Sequence, residues 1–515
     1  MRKRFFMLSF VVAVGVLPAT AQAASQVAAD FNGDGFGDIA LGVPEENLAG
    51  AGNGGAVNVI YGSPTGLNSA GSQFWSQDTA GIEDAPEAGD RFGQAIAGGD
   101  FNGDGFDDMA VGVQREDVGT VVDAGAVNVI YGSAAGLTAT GNQFWTQDSV
   151  GVEDVAETGD YFGSTLSAGE SGNGLGEELA IGAPMDSIGP VSQGGVVNVL
   201  YGSATGLSAA GNQLWHENVA GIEDTVEGTE QFGSVVAWGD FNGDGNDDLA
   251  VAIPREFVGS IRGGAAAVIY GTSTGLSAAG DQHWDQNSPG IEDTAEGGDM
   301  VRSSLAVGDF DNDSRDDLVL GFDGENIGSI SHTGAANVIY GTSTGLNAAD
   351  DQFWHQNSPG IEEISEGGDN LAWSLTAGDF DGDGDDDLAL GARREDLSSI
   401  VNAGLVNLIP GSPSGLTDVG DLLISQDSPG IEDQAETNDE FGSALFAGDL
   451  NGDGRDELAV GAILEDISGV ADAGAVNVVY DAFATGGMNQ FWHQDSTGIL
   501  DRIEDGDRMG YAFPG

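Results

Sequence analysis

The chain has 515 residues, of which 84 are acidic and 14 are basic, so its formal net charge is −70 at neutral pH. A surface this negative repels phosphate backbones and anionic headgroups, which argues against nucleic-acid partners and against membrane insertion or adsorption. Most of the acids lack a basic partner and must be solvated or bound to cations. The chain has no cysteine, so disulfides cannot stabilise the fold.

The first 23 residues have the composition of an export signal. Residues 2–4 are basic, residues 5–17 are apolar, and Ala21-Gln22-Ala23 is a small-residue cleavage site. We therefore expect a signal peptide at residues 1–23 and a secreted, periplasmic or cell-surface protein that begins at Ala24. The alternative is a membrane anchor, but the apolar run is shorter than the roughly 20 residues that span a bilayer.

A nine-residue acidic motif, DFNGDGFGD in its first copy, recurs at a nearly constant spacing. Its copies begin at Asp30, Asp100, Glu170, Asp240, Asp309, Asp379 and Asp449. A long period made of short strands and glycine-rich turns is typical of propeller blades. The sequence thus predicts an all-β fold, a seven-bladed β-propeller with four antiparallel strands per blade. Residues 24–515 form it, and both chain ends close the ring.

The second repeat illustrates the expected blade. Strand A is predicted at residues 93–99, strand B at 109–113, strand C at 126–131 and strand D at 143–147. The acidic motif forms the loop that connects strands A and B. A tryptophan recurs in strand D of six repeats, and we expect it to pack between blades rather than to serve as a platform for sugars.

Six of the acidic motifs carry oxygen-bearing side chains at positions 1, 3, 5 and 9. Their alternation in a tight, glycine-containing loop indicates a cation of calcium size, whereas transition metals favour His or Cys. The sequence predicts about six Ca²⁺ sites. The predicted ligands are Asp30, Asn32, Asp34 and Asp38; Asp100, Asn102, Asp104 and Asp108; Asp240, Asn242, Asp244 and Asp248; Asp309, Asp311, Asp313 and Asp317; Asp379, Asp381, Asp383 and Asp387; and Asp449, Asn451, Asp453 and Glu457.

Two features of the loops limit this prediction. Position 12 is apolar in every copy, for example Leu41 and Val111, so the loops connect strands and are not EF-hands. The third loop has Gly172 and Gly174 at positions 3 and 5. Because half of its side-chain ligands are missing, we expect no tight site in the third repeat. The alternative to calcium sites is that all the loops are solvated acidic turns.

The repeats also carry a family signature. Phe162-Gly163 leads through the acidic loop to Gly182-Ala183-Pro184, and Phe92-Gly93, Phe232-Gly233 and Phe441-Gly442 keep the opening. In these motifs the chain resembles the FG-GAP repeat proteins, including exported bacterial ones, and the seven-bladed head of integrin α chains. The resemblance implies calcium bound in the A–B loops and a role in extracellular adhesion or recognition. It does not indicate which residues of this chain bind a ligand.

Strand alternation predicts that the A–B and C–D loops share one face and that the B–C and D–A loops share the other. The B–C loops differ most between repeats and are the predicted ligand-binding region. The D–A loops are acidic, which favours a cationic ligand or an anionic glycan bridged by calcium. We expect a monomeric propeller with an extracellular protein or glycan as partner.

Catalysis finds little support in the sequence. The five histidines are scattered over the blades, and no serine elbow with a partnered histidine is present. We therefore predict that the chain is not an enzyme but a calcium-stabilised adhesion or recognition module. A structural, calcium-loaded envelope protein is one alternative, and a propeller enzyme acting on polysaccharide or lipid is another.

Overall fold

The computed structural model describes residues 29–172, 176–299, 301, 304–361, 363–483 and 487–514. The predicted signal peptide lies outside the described residues. The described part of the chain forms strands and turns without helices, so it offers no helix that could cross a membrane.

The strands are numbered in chain order. The first eleven are β1 (Ile39–Val43), β2 (Ala56–Tyr61), β3 (Asn68–Trp75), β4 (Phe92–Gly99), β5 (Asp108–Val113), β6 (Ala126–Tyr131), β7 (Thr138–Trp145), β8 (Thr165–Gly169), β9 (Glu178–Ala183), β10 (Val196–Tyr201) and β11 (Ser208–Trp215). The next ten are β12 (Val236–Gly239), β13 (Asp248–Ile253), β14 (Phe257–Val258), β15 (Ile261–Arg262), β16 (Ala265–Tyr270), β17 (Ser277–Trp284), β18 (Leu305–Gly308), β19 (Asp317–Phe322), β20 (Ala335–Tyr340) and β21 (Asn347–Trp354). The last eight are β22 (Ser374–Gly378), β23 (Asp387–Ala392), β24 (Leu405–Ile409), β25 (Leu422–Ile424), β26 (Phe441–Gly448), β27 (Glu457–Ala462), β28 (Ala475–Val479) and β29 (Asn489–Trp492).

These strands form seven antiparallel blade sheets, the first of three strands and the others of four, and one separate two-stranded sheet. Within each blade, strands that follow one another in the chain are neighbours in the sheet. The first blade contains β1–β3, and the second contains β4–β7 as strands A to D. In the fourth blade the A–B–C–D order is β12-β13-β16-β17, because a small hairpin of β14 and β15 occupies its B–C loop. The predicted all-β, seven-bladed propeller of four antiparallel strands per blade is confirmed.

Strand D of the second blade is longer than predicted. It begins at Thr138, five residues before the aromatic segment that marks it in the sequence, and a register shift between Val129 and Tyr131 pairs Tyr131 with Thr138. The added residues are small or polar and none of them is buried, so they carry no apolar alternation that would signal a strand.

The core lies between adjacent blades. Strands B and C are buried along their whole length, as in β5 and β6. Trp75 of the first blade packs in one apolar cluster with Ile96 and Met109 of the second. Trp75 is only 6% exposed, which supports the packing role expected for the recurrent tryptophan.

Residues near the C-terminus pair with the first blade. The Gly42 N–H donates to the Ala512 carbonyl at 2.9 Å, and the Gly510 N–H donates to the Gly42 carbonyl at 3.2 Å. Gly42 is the counterpart of Gly112 in β5, which pairs with Ala95 of strand A. The segment around Ala512 thus takes the place of strand A beside β1.

Candidate functional site

The A–B loops share one backbone conformation. Positions 4 and 6 of the loop have positive φ in all six predicted calcium loops, as at Gly103 (68°) and Gly105 (86°). In the fifth loop these positions are Asn312 (55°) and Ser314 (67°), so non-glycine residues are held in the left-handed region there. The similar φ values mean that the loops adopt a common turn whether or not glycine is present.

The second loop shows how side chains hold this turn. The carboxylate of Asp100, at position 1, accepts hydrogen bonds from the N–H groups of Asp104 (3.1 Å) and Gly105 (2.8 Å). Asp104, at position 5, accepts from the Phe106 N–H at 3.1 Å. Each carboxylate therefore shapes the backbone of its own loop, and its remaining lone pairs can bind a cation.

Position 9 is buried in these loops and ties each one to the blade. Asp108 is fully buried, and its Oδ1 accepts a 2.9 Å hydrogen bond from the N–H of Gly132 at the end of strand C. Burial, with repulsion from Asp100 and Asp104, raises the pKa of Asp108 to about 8. Burial raises the pKa of Glu457, its counterpart in the last loop, to about 9. A buried carboxylate beside other acids is stabilised as an anion by a cation.

The structure brings positions 1, 3 and 9 together. One carboxylate oxygen from each of Asp309, Asp311 and Asp317 lies within 4.8 Å of the other two. In the second loop Nδ2 of Asn102 donates hydrogen bonds to both oxygens of Asp108, at 3.1 and 3.2 Å. The converging carboxylates fit a hard cation such as Ca²⁺, and the assignment of all 24 residues as ligands stays a prediction.

The third loop differs, as its sequence predicts. Glu178 is buried at position 9, where its Oε2 accepts from the Ser171 N–H at 2.8 Å. Gly172 at position 3 supplies no ligand, and Gly174 at position 5 lies outside the described residues. The expected absence of a tight site in this loop stays a prediction.

Position 8 of the loop joins neighbouring blades, a role that was not predicted. The Asp107 carboxylate accepts a 2.7 Å hydrogen bond from the Asp30 N–H of the preceding loop. Asp247, Asp316, Asp386 and Asp456 make the same contact around the ring. A column of acids at position 8 was visible in the sequence, but only the ring geometry shows what it contacts.

A second candidate site lies in the central channel. A cavity of about 700 Å³ is lined by the beginnings of the A strands of the blades, by the ends of two B strands and by residues near the C-terminus. Strand A runs from the D–A loops towards the calcium loops, so this cavity opens on the face opposite the calcium loops.

Arginines and aromatic residues lie at this end of the channel. Arg393, Trp373, Arg508 and Tyr511 all line the cavity. The Arg393 guanidinium lies over the Trp373 ring and contacts Glu440 at 3.3 Å. The Nε atoms of Arg393 and Arg508 are buried and have no hydrogen-bond partner among the described residues. In so acidic a chain, these groups provide a local site suited to an anionic group.

The sequence profile of the FG-GAP repeat matches six segments, which are residues 23–60, 92–130, 232–270, 301–340, 371–406 and 441–479. The chain belongs to the FG-GAP repeat family. The unmatched blade is the third, whose acidic loop has lost two predicted ligands. The FG-GAP prediction is therefore confirmed. The profile matches the six blades whose acidic loops have all four predicted side-chain ligands.

Two groups of curated relatives are similar to parts of this chain. The phosphatidylinositol-glycan-specific phospholipase D of Rattus norvegicus is 32% identical over 162 residues, 31% of this chain and 18% of the relative. Integrin alpha-PS2 of Drosophila melanogaster is 30% identical over 238 residues, 44% of this chain and 15% of the relative. The similarity thus spans less than a quarter of either relative's length.

Among solved structures, the exotype rhamnogalacturonan lyase YesX aligns with 90% of this chain and 80% of its own. The TM-score is 0.35 and the sequence identity is 13%. An alignment this distant supports no functional inference.

The prediction that the chain is not an enzyme is wrong. It rested on the likeness to integrins and on the dispersed histidines, but the chain also matches phospholipase D enzymes at 30–32% identity. Enzymes and integrins are thus both among its relatives, and the similarity to integrins does not exclude an enzymatic function.

Proposed function

We propose that this FG-GAP propeller is an extracellular, calcium-stabilised recognition module that binds an acidic ligand at the arginine-lined end of its channel. The observation that carries the proposal is that the half-buried Arg393 and Arg508, beside Trp373 and Tyr511, each have a buried Nε without a hydrogen-bond partner among the described residues. Arginine binds carboxylates with high directionality, and aromatic rings bind the apolar faces of sugars. A uronic-acid-containing glycan combines both kinds of group.

In this proposal calcium has a structural role. The six loops with four oxygen-bearing side chains each bind one Ca²⁺, and the third repeat binds none tightly. Those loops lie on the face away from the channel opening, so the ions hold the blades in register while the opposite face binds the ligand. The variable B–C loops surround that opening and select among acidic ligands.

The test is a glycan array that includes polyuronates, probed with the purified protein at millimolar calcium. Binding of acidic glycans is expected, and Arg508→Gln should weaken it at least about tenfold, as expected when a buried charged contact is lost. Arg455→Gln is the matched control, because Arg455 lies on the calcium face and pairs with Asp481 at 3.1 Å. If binding survives both Arg393→Gln and Arg508→Gln, the ligand does not enter this end of the channel.

A second candidate function is hydrolysis of a phosphatidylinositol-glycan. The similarity to phospholipase D favours it, and the same arginines suit a phosphate group. Incubation with a phosphatidylinositol-glycan, followed by measurement of released phosphatidic acid, distinguishes turnover from binding. Release that falls in the Arg508→Gln protein supports this second function, and binding without release supports the first.

A further inference from the structure

One hydrogen bond recurs at the boundaries between blades. A glutamine just after strand D donates through Nε2 to a buried carboxylate that follows strand B of the next blade. The pairs are Gln77–Glu116, Gln147–Asp186, Gln286–Glu325, Gln356–Glu395, Gln426–Glu465 and Gln494–Glu46, at 2.6–2.8 Å. The amide gives the carboxylate a hydrogen-bond donor without adding charge, although Oε1 of each glutamine has no hydrogen-bond partner among the described residues.

The boundary between the third and fourth blades departs from this rule. Glu217 occupies the glutamine position and faces Glu256, and Glu230 occupies a position held by Asp in the other blades, such as Asp90. One oxygen from each of these three glutamates lies within 4.8 Å of the other two. Their exposed fractions are 2%, 0% and 2% for Glu217, Glu230 and Glu256. Three carboxyl groups are thus buried together.

Two further departures fall at the same place. Strand D of the fourth blade has His283 where other blades have Phe or Leu, and its partner across the sheet is Ala267 instead of the usual Asn. The smaller Ala267 leaves room for the imidazole. The Nε2 atom of His283 lies 3.9 Å from Asp224, and both are within 4.8 Å of Glu256.

The cluster is polar but incompletely satisfied. Both carboxyl oxygens of Glu217, one oxygen each of Glu230 and Glu256, and Nε2 of His283 are buried without a hydrogen-bond partner in the described part of the chain. None of the ion pairs among those residues joins an arginine to the three glutamates. Burying such groups unpaired costs free energy, so a proton or a cation must balance them.

Burial and the neighbouring carboxyl groups raise the pKa values of two glutamates in the cluster. Burial, followed by interactions with Glu256 and Glu230, raises the pKa of Glu217 far above its usual range. Burial raises the pKa of Glu256 to about 7. Because carboxylates and imidazole bind metals in their deprotonated forms, a cation bound here competes with protons and gains charged ligands.

We propose that this cluster binds one divalent transition-metal ion, of the Zn²⁺ or Mn²⁺ class, with Glu217, Glu230, Glu256 and His283 as ligands and Asp224 beside them. The mixed carboxylate and imidazole set favours such an ion over Ca²⁺, which prefers oxygen ligands alone. Glu256 belongs to both groups of converging side chains, so the proposal places the ion beside Glu256. The proposal is independent of the proposed function, because the cluster includes neither the calcium loops nor the channel arginines.

The experiment measures metal content. Protein stripped with a chelator is dialysed against excess Ca²⁺, which fills the loops, together with micromolar Zn²⁺ or Mn²⁺, and is analysed by mass spectrometry of the elements. One equivalent of transition metal per chain is expected. Glu217→Gln should abolish it while leaving the fold intact, because glutamine is the residue that six other blades use. His283→Phe, which also restores the repeat pattern, should weaken binding about tenfold or more.

Glu395→Gln is the matched control. Glu395 is a buried boundary carboxyl like Glu256, but the residue that faces it is a glutamine, Gln356. This substitution should leave the transition-metal content at one equivalent. The proposal is overturned if the parent protein takes up no Zn²⁺ or Mn²⁺, or if the parent and Glu217→Gln proteins take up equal amounts.

Discussion

The Nε2 of Gln77 donates a 2.7 Å hydrogen bond to Oε2 of Glu116 across the boundary between the first and second blades, and both side chains are buried. Burial, followed by hydrogen bonding to Asp84, raises the pKa of Glu116 to about 9. Burial also raises the pKa of Glu325 and of Glu395 to about 8. Burial of these boundary carboxyls therefore couples the ring to pH, while the hydrogen bond from the glutamine acts in the opposite direction.

We expect the calcium-free protein to lose stability as the pH rises from 5 to 9. A raised pKa in the folded state means that the folded protein binds more protons than the unfolded chain over this range. The contribution of Glu116 is then complete below the pKa of an unfolded glutamate and is lost as the pH rises towards about 9. Thermal melting in EDTA at constant ionic strength measures the slope.

Glu116→Gln tests whether this contact is responsible. At pH 9 the variant should be more stable than the parent by about 1 kcal/mol and should therefore melt at a higher temperature. At pH 5 the two proteins should differ little. Gln77→Glu is the matched change on the other side of the bond and should steepen the slope. Equal pH slopes in the parent and the Glu116→Gln protein would show that this carboxyl does not titrate as expected.

Calcium removal should destabilise the propeller. Extracellular calcium sites bind at roughly 0.1–1 mM, so at about 1 mM each site adds roughly 0.4–1.4 kcal/mol, and six sites add about 2–8 kcal/mol. Chelation should lower the melting temperature clearly at pH 7.5 and low salt. Magnesium at the same concentration should restore little, because it prefers a smaller octahedral site. An unchanged melt in EDTA contradicts this prediction.

The fifth calcium loop should bind more weakly than its neighbours. Ser314 has a φ of 67° at position 6, where the other five predicted loops have glycine. A non-glycine residue in the left-handed region costs about 1–2 kcal/mol, so Ser314→Gly should strengthen the site and stabilise the protein by about 1 kcal/mol. Terbium luminescence titration measures the affinity of the sites.

Gly245→Ser in the fourth loop is the reciprocal control. A Cβ at Gly245 meets no atom within 4 Å, so the only cost of the substitution is the backbone conformation. It should weaken the fourth site by the amount that Ser314→Gly strengthens the fifth. The strain argument fails if neither substitution changes a calcium affinity.

The residues near the C-terminus should be necessary for a stable monomer. Met509 is fully buried, and the ring of Phe513 stacks on Phe446 at 6.1 Å between centroids. Deleting residues 508–514 leaves β1 with an unpaired edge, which promotes association between chains. We expect a lower melting temperature and oligomers in light scattering.

A milder change separates packing from pairing at the same place. Phe513→Ala keeps the backbone hydrogen bonds to Gly42 but removes the ring, and should cost about 3 kcal/mol without oligomers. A deletion protein that is as monomeric and as stable as the parent would refute the closing role of this segment.

The sequence predicted the blades because the information for them is local. Each acidic loop contains its own turn residues and oxygen ligands, and Leu41 and its counterparts mark the following strand. The polar start of strand D at Thr138 was missed because it has no apolar alternation. The boundary contacts were missed for a different reason, since Gln77 and Glu116 are 39 residues apart and meet only when two blades pack.

The cluster around Glu217 could have been suspected from the sequence. Aligning the repeats places Glu217 in a column that is otherwise glutamine, and His283 in a column of Phe and Leu. What the alignment cannot supply is that these columns, from different blades, meet Glu256 in space. Deviations from an internal repeat are informative because the other copies show what packing alone requires.

The pairing of Gly42 with Ala512 has a consequence for how the protein is made. The first blade cannot be completed until residue 512 has been synthesised, so β1 presents an unpaired edge throughout that interval. Contacts between such distant parts of a chain form slowly. The net charge of −70 then offers protection, because nascent copies repel one another before their edges can meet.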